Sequence, residues 1–293
     1  MVLNLASVVI ACALAAESQA QEVVSVRTEP LPSMSLQEPP PWLYDRGDGV
    51  HNSMFGTYTR KNELQVYLFY EYTLNHDAEY KPEELGFVGN KDFQAKRVDH
   101  EFLIFLAYGI TEDLMVEFES ALWTKSTQHK ASGDTSAMPS SLSESGLGDT
   151  EGQVRWRFVH EAEVIPEVMT FFEYVLPLQR DRKLIGTQDW EFSLGLVFTK
   201  GFSWGTLSAK VSYSYDRAEH KVQFGEYSIE YVKRMSDHWR IAVAVEGEQD
   251  EIEGIVELQW MPAKNIMIKI NNAFGLTSKA ADWAPEIGIL ISF

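Results

Sequence analysis

The chain has 293 residues, 45% of them hydrophobic and 12% aromatic, with 43 acidic against 25 basic side chains for a net charge of −18. So rich an apolar and aromatic content excludes a chain that stays solvated and disordered. The charge repels phosphate backbones and excludes a nucleic-acid role. The single cysteine, Cys12, excludes a disulfide scaffold and a thiolate metal site.

Residues 2–16 are almost wholly apolar, and Ser18-Gln19-Ala20 follows as a small-x-small cleavage site. This predicts a secretory signal peptide over 1–20 that takes Cys12 with it. Val9-Ile10-Ala11-Cys12 also reads as a lipobox, but the apolar run continues past the cysteine to a better cleavage site. Residues 21–61 carry Pro30, Pro32, Pro39, Pro40 and Pro41 with little periodicity. They are read as a periplasmic lead-in, either mobile or tucked as a plug through Trp42 and Tyr44.

From Asn62 to Phe293 the pattern alternates with period two. Leu64, Val66, Leu68, Tyr70, Tyr72 and Leu74 interleave with Gln65, Glu71 and Thr73. In 149–158, Asp149, Glu151, Gln153, Arg155 and Arg157 interleave with Val154, Trp156 and Phe158. A strand separates such sets onto two faces where a helix mixes them. Twelve segments follow this rule, at 62–74, 96–109, 113–124, 149–158, 167–178, 188–200, 205–216, 222–233, 238–248, 252–261, 265–276 and 284–293.

A soluble sandwich alternates too, so four further features choose between core and lipid. The segments reach membrane-spanning length, about 9–11 residues or more, where soluble strands average about 5–6. Connections alternate between long polar loops (75–95, 125–148, 179–187, 277–283) and short turns such as Ile110-Thr111-Glu112, Gly201–Trp204, Arg234–Asp237 and Pro262-Ala263-Lys264. Trp190, Trp204, Trp239 and Trp260 fall at strand ends, where an interfacial girdle belongs. Ile287, Ile289, Ile291 and the terminal Phe293 share one face. Together these predict an all-β fold: a closed antiparallel transmembrane barrel of 12 strands, with long extracellular loops and short periplasmic turns.

Two resemblances follow. Phe293 closing an alternating strand resembles the terminal signature that bacterial outer-membrane assembly machinery reads. Gly146-Leu147-Gly148-Asp149-Thr150, opening a strand after a long loop, resembles an element of the family named for the MetA pathway of phenol degradation, a set of presumed transporters. That resemblance implies an outer-membrane barrel passing small, often apolar or aromatic compounds, and it carries over no substrate-binding residue.

With the apolar face outward, the opposite face lines the lumen with seventeen acidic and six basic side chains. Glu71, Glu101, Glu117, Glu119, Arg155, Arg157, Glu173, Glu191, Lys210, Arg240, Glu257 and Lys269 are the candidate charged lining. Such a wall attracts cations and disfavours acidic sugars, unless its charges mostly pair across strands, as Arg155 and Arg157 could with Glu117 and Glu119. Tyr67, Phe69, Leu103, Phe105 and Phe171, with Met115 and Met169, form a candidate apolar lumen patch. The patch reads either as a track for an aromatic solute or as the seat of the lead-in. Some twelve-stranded barrels are phospholipases, but here His100 precedes Glu101 and Phe102 rather than a serine two positions on. The seven histidines are scattered without metal-ligand spacing, so neither an enzyme, a metal site nor a cofactor is expected. The expected function is an outer-membrane channel for passive passage of small solutes, apolar or aromatic ones among them. Its alternative is a non-conducting barrel whose loops bind a partner. Expected partners are outer-membrane lipid, the assembly machinery and a small solute.

Overall fold

A computed structural model describes residues 44–52, 55–217 and 220–293. The segments read as a signal peptide and a lipobox, the proline run and Trp42 lie outside them. Two short strands come first, β1 (Val50–His51) and β2 (Tyr58–Thr59), paired antiparallel with each other. Within the segment read as a lead-in, the described residues 44–52 and 55–61 carry this strand pair.

The barrel begins with β3 (Leu64–Tyr80), β4 (Phe93–Gly109) and β5 (Leu114–His129). The next wall position is shared by β6 (Ser141–Gly146) and β7 (Thr150–Val159), which pair with the upper and lower halves of β5. Then follow β8 (Glu167–Val175), β9 (Glu191–Phe202), β10 (Gly205–Asp216) and β11 (Lys221–Arg234). Last come β12 (Trp239–Glu248), β13 (Glu251–Ala263), β14 (Ile266–Gly275) and β15 (Ala284–Ser292). Every neighbour is antiparallel, and β15 returns to β3 with Glu286 opposite Glu71 and Ser292 opposite Gln65. This is a closed 12-stranded antiparallel barrel, in which β6 pairs with β5 alone and so keeps one free edge in the tall sector. No helix among the described residues is long and apolar enough to cross a membrane.

Alternation sets the two faces. On β12, Ala242 and Ala244 are buried while Ile241, Val243 and Val245 stand 37–47% exposed. An outer wall so apolar demands a non-aqueous solvent. Aromatic rings mark its lower rim, where Trp239 and Trp260 face each other across β12–β13 with ring centroids 5.9 Å apart. At the upper rim Tyr72 and Trp283 lie 5.7 Å apart.

The strands differ from expectation above the upper rim. β3, β4 and β5 run to 17, 17 and 16 residues, so loop 75–95 shrinks to 81–92, and β6 occupies part of 125–148. The segment 176–190 folds over this tall sector, its Leu184 and Ile185 packing with Tyr80, Leu85 and Met138. Within the 146–150 motif, a Cβ on Gly148 would lie 2.7 Å from Ala121 Cβ. That glycine therefore serves close packing of the wall where the chain passes from β6 to β7.

Candidate functional site

The inward face divides into two levels. The lower one, toward the short turns, is filled. Tyr67, Phe69, Leu103, Phe105, Met115, Met169 and Phe171 converge on Val50 of the hairpin, which is fully buried among them. The inward apolar residues of β3, β4, β5 and β8 thus meet in one cluster, and the hairpin sits against it.

Polar wall side chains grip the hairpin backbone. Arg155 Nη1 donates to His51 O at 3.1 Å, and Arg157 Nη1 donates to Gly49 O. Gln259 Nε2 donates to Phe55 O at 2.8 Å. Gln65 Nε2 donates to Tyr58 O at 2.7 Å while its Oε1 accepts from Asn52 Nδ2 at 2.9 Å. Arg46 of the hairpin stem pairs with Glu161 at 2.6 Å and Glu167 at 3.5 Å. Hydrogen-bonding partners for backbone groups taken out of water are what make such a seat stable.

Several charges at this level are paired, while Glu230 meets only His51 among the basic side chains of the described residues, at 3.9 Å. Arg155 meets Glu117 at 3.1 Å with both side chains buried, and Lys269 meets Glu257 at 3.2 Å. Arg157 differs from the expected cross-strand pairing: it pairs with Asp113 at 3.0 Å and Glu167 at 3.1 Å rather than with Glu119. The register explains this, because Arg155 stands opposite Met115 and Arg157 falls two positions lower, beside Asp113 at the turn.

Above the filled level lies a cavity of about 510 Å³ in the half of the barrel nearer the long loops. Phe55, Tyr67 and Phe69 reach it among its lining, with walls from β3, β5, β7, β8 and β10–β15. Ten glutamates line it, including Glu71, Glu119, Glu173 and Glu286, against two lysines, Lys210 and Lys269. Both lysines are engaged, Lys210 with Glu226 and Lys269 with Glu257, so the field in the cavity is set by carboxylates.

The other charged positions scatter. Glu101 accepts from Thr124 Oγ1 at 2.6 Å and stands opposite Glu71 in the β3–β4 register without lining the cavity. Glu191 is exposed at the start of β9, and Arg240 is half-buried near the lower end of β12. Counting charged residues alone overlooked the neutral amides Gln65 and Gln259 and the stem partners Glu161 and Glu167. Gln65 and Gln259 occupy inward positions of alternating strands, a signal present in the pattern. No group of three or more potential metal ligands occurs among the described residues.

No family model and no curated protein matches the sequence. Among solved structures, the COG4313 outer membrane channel from Pseudomonas putida F1 superimposes with a TM-score of 0.55 at 12% identity, over 83% of this chain and 100% of that one. The KdgM porin gives 0.48 at 8% identity over 78% and 99%. Outer membrane phospholipase A from Escherichia coli gives 0.42 at 9% identity over 80% and 93%. At such identities the likeness to the Pseudomonas channel establishes the fold alone: the chain has the closed antiparallel β-barrel architecture of that outer membrane channel. The kinship suggested by Gly146–Thr150 rests on that motif alone.

Proposed function

We propose that the protein is an outer-membrane channel for small solutes, entered from the long-loop side through the glutamate-lined cavity. The cavity carries the reading, because ten carboxylates against two paired lysines concentrate cations and repel anions. Its aromatic floor suits a solute with an apolar or aromatic body, in keeping with what the MetA-pathway resemblance implies. Passage is passive and involves no catalytic step; His100 lies 2.7 Å from the Tyr70 hydroxyl rather than beside a serine.

In this reading hairpin 44–61 closes the periplasmic end, and solute crosses when it is displaced. Residues 1–20 direct export, and Phe293 presents the chain to the assembly machinery. The outer wall meets membrane lipid. The seated hairpin also favours a second reading, a barrel that never conducts. Planar-bilayer recording of the mature chain, with and without residues 44–61, tests both. Current that rises when the hairpin is removed supports a gated channel. Silence from a folded, hairpin-free barrel refutes it and leaves the non-conducting one.

A further inference from the structure

The tall sector of the wall carries a second charged surface, on its outside. Along β4, Arg97 bonds Asp99 at 2.9 Å and Glu101 takes the Thr124 hydroxyl, so these odd positions face inward. Lys96, His100 and Phe102 therefore face out. On β5 the pairing shifts between Phe102 and Leu103, with Leu122 the extra residue. Thr124, Ser126 and Gln128 are then buried inside, and Trp123, Lys125 and Thr127 face out.

The register aligns these residues in rows around the outer wall. Tyr70, Phe102 and Trp123 stand side by side. The next row up is Tyr72, His100, Lys125 and Ser145, and the one above it is Leu74, Val98, Thr127 and Ser143. Successive rows are about 7 Å apart along the strands, so the face turns from aromatic to cationic and hydroxylic in one step. Aromatic belts sit at headgroup depth, and the row above them meets the phosphates.

Three observations set this surface apart. The outward positions of these rows hold no Asp or Glu, in a chain with 43 acidic residues. Lys96 and Lys125 are exposed, and no ion pair engages either among the described residues, whereas Arg155, Arg157, Lys210 and Lys269 of the lumen are all paired. The Tyr70 hydroxyl holds His100 through Nδ1, which leaves Nε2 for an outside partner, and Thr127 Oγ1 lies 3.0 Å from Ser143 Oγ as an adjoining polar step.

We infer that the outward face of β4–β6 is a binding site for a phosphate-bearing glycolipid headgroup of the outer leaflet. Lys125 and His100 take the phosphate, the Ser145 hydroxyl takes a sugar oxygen, Ser143 Oγ, which donates to Ser126 O, accepts from a sugar hydroxyl, and Trp123 and Tyr72 pack on the lipid body. Lys96 adds charge from one side. The site rests on the outer-membrane reading of the barrel but not on whether its lumen conducts.

Native mass spectrometry of the full mature chain in detergent tests it, with diphosphorylated lipid A, the same lipid stripped of phosphate, and inorganic phosphate as probes. One diphosphorylated lipid A is expected to stay bound per chain, and the dephosphorylated lipid is expected to be lost. Lys125→Gln should weaken retention about fivefold and Lys125→Glu about 25-fold. Lys96→Gln provides an independent variant, and Lys264→Gln at the opposite end should change nothing. Heat-modifiable electrophoretic mobility identifies the folded samples. Equal retention of dephosphorylated lipid, an unchanged Lys125→Glu, or displacement of the lipid by inorganic phosphate would each overturn the headgroup site while leaving the barrel intact.

Discussion

The hairpin seat yields a quantitative expectation. Two neutral wall amides make three hydrogen bonds to it: Gln259 to Phe55 O, Gln65 to Tyr58 O, and Asn52 to Gln65. Replacing both amides, in Gln65→Leu/Gln259→Leu, removes these bonds from the docked state only, because a released hairpin is solvated by water. At about 1 kcal/mol for each neutral bond the docked state loses about 3 kcal/mol. That shifts the docked-to-released ratio about 100-fold. Val50 keeps its apolar seat, so the double variant biases the equilibrium without abolishing docking. Single-channel recording reads the shift directly as a rise in open probability, and retained heat-modifiable mobility reports an intact wall. Open probability within about threefold of the parent chain, from a folded variant, would refute the idea that this hairpin controls passage.

Three further outcomes are expected. Glu257→Gln leaves Lys269, only 2% exposed, without its carboxylate. It should destabilise the barrel by about 3–5 kcal/mol in urea unfolding from lipid vesicles, and Glu257→Gln/Lys269→Met should recover much of the loss. Gly109→Ala should block assembly, since its Cβ would fall 1.9 Å from the backbone oxygen of Arg60 where the hairpin joins the wall; normal yields of folded protein would count against that junction. His51 makes docking pH-dependent. Burial first, then Arg155, Arg46 and Lys210, hold its imidazole well below the ordinary 6.5, while Glu230 stands 3.9 Å away and Tyr58 packs edge-on. A released hairpin takes up the proton near that ordinary value and the docked one does not, so docking weakens as pH falls below it. Open probability should rise from about pH 7.5 to about pH 5.5, and His51→Asn should flatten the rise. A profile identical in both proteins would remove His51 from the mechanism.

The strand pattern was legible wherever a strand has an apolar outer face, because a strand then carries an apolar residue at every second position. Where β3, β4 and β5 extend beyond that apolar face the alternation lapses, and Thr124-Lys125-Ser126-Thr127-Gln128-His129 shows no hydrophobic period although it is strand. The same lapse hid β6, whose residues Ser141–Gly146 read as loop. The shift at Leu122 is a backbone event with no composition signal, and it reverses which side chains of β5 face in. The apolar lumen cluster was visible in Tyr67, Phe69, Leu103, Phe105 and Phe171 as apolar residues on the polar face. Their partner was not: Val50 and Phe55 lie in a hairpin whose strands are two residues each, too short for any period.

The most direct measurement of the central claim is the reversal potential of the Gln65→Leu/Gln259→Leu channel across a potassium chloride gradient. A vestibule walled by ten glutamates should shift it toward the potassium equilibrium potential, and raising ionic strength should diminish the shift as screening sets in. A reversal potential at zero, or displaced toward chloride, would contradict a carboxylate-lined path for the solute.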